Sequence, residues 1–63
     1  MKQYTDEEFR SFLDALDAAW REIRITDWEV NFLESNTERK TFTEAQRSSI
    51  IRMILKYGND IEW

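Results

Sequence analysis

A helix start signal occurs three times in this chain: a Thr followed three residues later by Glu or Gln, as Thr5–Glu8, Thr26–Glu29 and Thr43–Gln46. In such a capping box the Thr hydroxyl accepts from the backbone N–H of the third helical residue. The later side chain reaches back to the N–H of the Thr, so two orphan donors are satisfied together. The first two boxes also carry a hydrophobic staple, Tyr4 with Phe9 and Ile25 with Val30. At the third, Phe42 has only the aliphatic stem of Arg47 to meet it. With no Pro anywhere and a single Gly, nothing between these caps interrupts a helix. The spacing predicts an all-α fold, a small three-helix bundle over about 6–24, 27–35 and 44–57 with a short C-terminal tail, as one domain of 63 residues.

Each segment then has to bury something. In the first, Phe9, Phe12, Leu13, Leu16, Trp20 and Ile23 fall within an arc of about 100°, opposite Glu7, Arg10, Asp14, Asp17 and Arg21. The second places Trp28 and Phe32 on one edge and Val30 and Leu33 on another, and is too short to be stable alone. In the third, Ile50, Ile51, Met53, Ile54, Leu55 and Tyr57 spread over about 200°. So wide an arc predicts a central helix with two neighbours, or an uncovered strip open to a partner or a second copy of the chain. Ile61 and Trp63 in the tail are placed to cover that surplus. Residues 36–42 lack apolar periodicity and read as the one substantial loop, with Asn36 as a left-handed helix end. Gly58 is expected to end the third helix in the same left-handed conformation.

Composition narrows the chemistry. There is no His and no Cys, which excludes a disulfide framework, a zinc site of the usual ligands and a Cys or His nucleophile and base. A single Gly excludes a glycine-rich phosphate loop. No enzyme and no cofactor are expected. Net charge is −4, with 13 acids and 9 bases, and the acids concentrate in the first half. That balance disfavours non-specific binding to nucleic acid or an anionic membrane. No apolar run approaches 18 residues, so no membrane span is expected and the cytoplasm is the default location.

Carboxylates are the only dense reactive groups. Asp14 and Asp17 are three apart on the first helix, but Asp6 with Arg10 and Asp17 with Arg21 have the acid-first, four-residue spacing of helix-stabilising pairs. Glu29 lies between the two apolar edges of the second helix, where its carboxylate caps Thr26. Gln46 or Arg47 is a further expected partner for it, so its removal should cost more than the roughly 1 kcal/mol of an ordinary cap. Arg39, Lys40, Arg47, Arg52 and Lys56 gather in the second half, and Arg52 and Lys56 on the outer face of the third helix loosely suggest a helix-turn-helix, although the loop before that helix exceeds the usual three or four residues.

The segment Trp28-Glu29, Phe32-Leu33-Glu34-Ser35, then Phe42-Thr43, Gln46, Ile50, Met53 and Lys56-Tyr57-Gly58 resembles a short helical segment of phage-, plasmid- and replication-associated small proteins, in which a W-E-x-x-F helix precedes a T-x-x-Q helix. It covers about 30 of the 63 residues. The resemblance implies a mobile-element origin and an accessory role beside nucleic-acid-processing machinery, and it transfers no catalytic residue. The resulting expectation is an acidic helical adaptor or inhibitor that binds another protein. Its candidate contacts are Glu7, Asp14 and Asp17 on the first helix and Arg39, Lys40, Arg52, Met53 and Lys56 on the loop and third helix. The alternative is a nucleic-acid-binding accessory module that uses Arg39, Lys40, Arg52 and Lys56. A homodimer through the third helix is a further option.

Overall fold

A computed structural model describes residues 3–63. Three helices, α1 (Asp6–Ala19), α2 (Asp27–Ser35) and α3 (Glu44–Tyr57), form a small all-α bundle with no strand among the described residues. All three capping boxes are made reciprocally, by Thr5 with Glu8, Thr26 with Glu29 and Thr43 with Gln46. The first staple is in place too, with the Tyr4 and Phe9 rings 5.8 Å apart.

The helices close on one core of Phe9, Phe12, Leu13, Leu16, Leu33, Phe42, Ile50, Met53, Ile54 and Tyr57. Aromatic edges do much of the filling: Phe42 meets Phe9 at 6.0 Å in a T-shaped contact, with Phe42 arriving from the loop before α3. The start of α1 meets the start of α3 through an Asp6–Arg47 ion pair of 3.2 Å. Tyr57, in the last turn of α3, reaches α2. α3 thus touches both neighbours, as its wide arc predicts. It does not exhaust that arc, because Ile51 is 37% and Leu55 80% exposed.

Five local expectations are corrected. α1 stops at Ala19 rather than near residue 24: the Ala19 carbonyl accepts from both Glu22 and Ile23 in a tightened last turn, and the chain then extends into Thr26. β-branched Ile23, Ile25 and Thr26 suit that extension better than another helical turn. Neither Asn36 (φ −121°) nor Gly58 (φ −59°) is left-handed, and no described residue has positive φ. Gly58 answers a different need, since its N–H bonds the Ile54 carbonyl at 2.7 Å and a Cβ there would lie 2.5 Å from that oxygen. The tail covers α1 instead of the α3 surplus: Trp63 packs against Tyr4 and Phe12 at 5.7 and 5.3 Å and donates its indole N–H to the Gly58 carbonyl. The surface pairs of α1 also differ. Asp6 goes to Arg47, Arg10 pairs with Asp14, and Arg21 lies over the Trp20 ring while forming no ion pair with Asp17.

Candidate functional site

The first turn of α2 places two successive side chains in opposite environments. Glu29 is turned inward and is 4% exposed, whereas Trp28 is 58% exposed. One Glu29 oxygen accepts from the Thr26 N–H at 2.8 Å and from the Tyr57 hydroxyl at 2.7 Å. The other accepts from the Lys56 ammonium at 2.9 Å. Gln46 and Arg47, the partners expected from sequence, are engaged elsewhere: Gln46 with Thr43 and Asn36, Arg47 with Asp6. α3 reaches Glu29 from its last turn, not its first.

Burial alone would raise the Glu29 carboxyl, but the hydrogen bonds from Thr26, Tyr57 and Lys56 outweigh it and hold the group down to about 2. Tyr57 is pushed up by burial and by donating to that carboxylate. Lys56 is pushed up chiefly by its hydrogen bond to Glu29. At neutral pH the three are therefore carboxylate, phenol and ammonium. None is poised to exchange a proton near neutrality, as a general acid or base must be. The cluster locks α2 to α3.

Trp28, by contrast, faces solvent. Its ring stacks on Phe32 with centroids 5.4 Å apart and planes at 26°. Between Trp28 and α3 lies a groove of about 280 Å³, bounded by Ser49, Arg52, Met53 and Lys56. A second hollow of about 220 Å³ lies along the Trp28 and Phe32 edge, toward Asn36. A third and larger concavity, about 760 Å³, separates the start of α1 from the 36–42 loop and is lined by Asp6, Glu7, Arg10, Asp14, Glu38 and Lys40 among others.

The sequence-predicted contacts divide between these grooves. Glu7, Asp14 and Lys40 line the large acidic one, where Asp14 is already paired with Arg10 at 2.8 Å. Arg52, Met53 and Lys56 line the Trp28 groove, but Met53 is 1% exposed and belongs to the core, so it offers a partner almost no surface. Asp17 and Arg39 are exposed and line neither, and Arg39 contributes its carbonyl to the Arg10 guanidinium at 2.8 Å. The four bases thus do not share one groove.

Sequence reasoning missed Trp28 as a surface residue. The available signal was the brevity of α2: nine residues have room for one buried face, and Leu33 and Glu29 occupy it. It also missed Arg10, which looks like one more solvated charge on α1. No family model, curated protein or solved structure matches the chain.

Proposed function

We propose that this chain is a small adaptor or inhibitor that acts by binding another protein, with Trp28 at the centre of its docking surface. The observation that supports the reading is the stacked Trp28–Phe32 pair, with Trp28 at 58% the most exposed aromatic among the described residues, ahead of Trp63 at 37%. Exposed Trp beside Arg is the composition of interface hot spots, where a few anchors supply most of the binding energy. The frame behind it is firm, because Glu29 fixes the first turn of α2 to α3 one residue away. The resemblance of this segment to small phage- and plasmid-associated proteins favours a mobile-element origin and a partner drawn from nucleic-acid-processing machinery. No helix among the described residues is long and apolar enough to cross a membrane.

Affinity capture from the source cell with wild-type and Trp28→Ala baits, after nuclease treatment, tests this. The expected result is a protein retained by the wild type and lost with Trp28→Ala while far-UV circular dichroism is unchanged. Identical recovery by both baits, or recovery that nuclease abolishes, would overturn it, the latter in favour of direct nucleic-acid binding. Self-association on Ile51 and Leu55 is the other competitor, and light scattering at two concentrations reveals it as a rise in mass.

A further inference from the structure

We infer that the groove between Trp28 and α3 receives an acidic segment of the partner that inserts one apolar side chain. This rests on the protein-binding reading and adds the chemistry of what is bound. Size comes first. At about 280 Å³ the groove is at the small end of the roughly 300–1,000 Å³ of pockets that enclose small molecules and cofactors, and it has room for a single side chain. Its outer wall is the exposed Trp28 ring, the one large apolar surface that the groove presents, since Met53 beneath it is buried in the core, so the inserted group that packs there is apolar.

Charge decides what flanks that group. Glu29 is also at the groove, but its carboxylate is consumed by Thr26, Tyr57 and Lys56. Arg52 forms no ion pair among the described residues, and its guanidinium is a fork that matches a carboxylate. The Lys56 ammonium gives one bond to Glu29 with its side chain 51% exposed, which leaves donor capacity for a second carboxylate. The rim of this groove is therefore positive on a chain of net charge −4, whereas the lining of the large α1 groove is dominated by acids. A nucleic-acid strand would need a track of cations along successive phosphates. Here Lys40 lines the other groove and only Arg52 and Lys56 stand beside Trp28.

The test is resonance mapping by NMR with three probes: the blocked peptide Ac-Glu-Glu-Leu-Glu-Glu-NH2, its counterpart with Lys in place of every Glu, and a short oligothymidylate. The expected result is that the acidic peptide shifts the Trp28 indole, Ser49 and Arg52 signals, and that the basic peptide leaves them in place. Arg52→Gln, an exposed change that spares the core, should weaken the acidic peptide by about fivefold, the scale of one exposed charge pair. Arg47→Gln, on the side of α3 that meets α1, should not. Four results overturn the inference: no shift at these residues with the acidic peptide, equal shifts with the basic one, shifts caused by the oligonucleotide alone, or undiminished binding by Arg52→Gln. Its failure is separable from failure of the broader reading, because a Trp28-dependent protein recovered by affinity capture would still stand.

Discussion

α2 carries one buried polar side chain at each end, Glu29 at 4% and Asn36 at 5% exposure, and the two are secured in opposite ways. At the start, a buried anion sits near the positive end of the helix and collects donors from Thr26, Lys56 and Tyr57. At the end, a neutral amide donates to the Phe32 carbonyl at 2.8 Å and accepts from Gln46 at 3.3 Å. The cation that suits a helix C-terminus comes from another helix: α2 has no base in its last turn, and the Arg10 guanidinium of α1 donates to the carbonyls of Asn36 and Arg39. A nine-residue helix is marginal by itself. Here α3 holds its start, and Arg10 of α1 together with Gln46 of α3 holds its end. pH can therefore act on α2 at its start and not at its end, since only the Glu29 anchor titrates.

Removing the charged anchor should have the largest effect. Glu29→Ala leaves the Thr26 N–H without its acceptor and the Tyr57 hydroxyl with only the long 3.5 Å contact to the Arg24 carbonyl, and we expect a loss of about 3 kcal/mol. In a domain of this size each kcal/mol moves Tm by about 4–8 °C, so thermal denaturation reads it directly. An unchanged Tm would remove Glu29 as an anchor. Acid titration separates the two ends of α2. Because the folded carboxyl lies at about 2, below its ordinary 4.5, its contribution is complete above about pH 4.5 and disappears as the pH falls toward 2. Glu29→Gln should lack that part of the acid slope. On the alkaline side Lys56 and Tyr57 are both raised, so their contribution holds at lower pH and is lost as pH climbs through their folded values.

The neutral anchor should yield a smaller and pH-independent loss. Asn36→Ala removes the bond to the Phe32 carbonyl and the acceptor for Gln46, about 2 kcal/mol by the usual cost of unsatisfied buried groups. Its deficit relative to wild type should be the same at pH 3 and pH 7, as measured by urea denaturation. A deficit that grew or shrank across that range would mean that the two ends of α2 are coupled.

The charged end was partly legible in the sequence and the other end was not, for a physical reason. Thr26 and Glu29 are three residues apart, and a capping box is local, so spacing alone predicts it. The limits of α2 and α3 and the Thr5 and Thr43 caps were legible on the same ground. Lys56 and Tyr57 lie 27 and 28 residues from Glu29, and their approach depends on how α3 crosses α2. Arg10 lies 26 residues from Asn36. Gly58 and Asn36 suggested left-handed ends by residue type, yet the chain uses one for a close approach to Ile54 and the other for its side-chain amide. The exposure of Trp28 was hidden for a related reason: aromatic content and helical spacing look alike for a core position and a docking position.

Arg10 gives the finest test of how the second anchor works, because it makes two kinds of contact. Its guanidinium bonds Asp14 one turn along α1, at 3.0 Å through Nε, and also donates to the two loop carbonyls. Asp14 is 64% exposed in its side chain, so solvent screens that pair, and exposed pairs of this kind are worth about 0–1 kcal/mol. The carbonyl of Asn36 belongs to a residue that is almost wholly buried, and hydrogen bonds from a charged donor are stronger than neutral ones. Arg10→Met preserves the aliphatic stem and removes both contacts, and we expect about 1–1.5 kcal/mol. Asp14→Ala removes only the ion pair and should change stability by no more than about 0.5 kcal/mol. Equal losses from the two substitutions would assign the effect of Arg10 to Asp14. A larger loss from Arg10→Met, together with faster amide hydrogen exchange in residues 36–40, would show that α1 secures α2 through its terminal carbonyls.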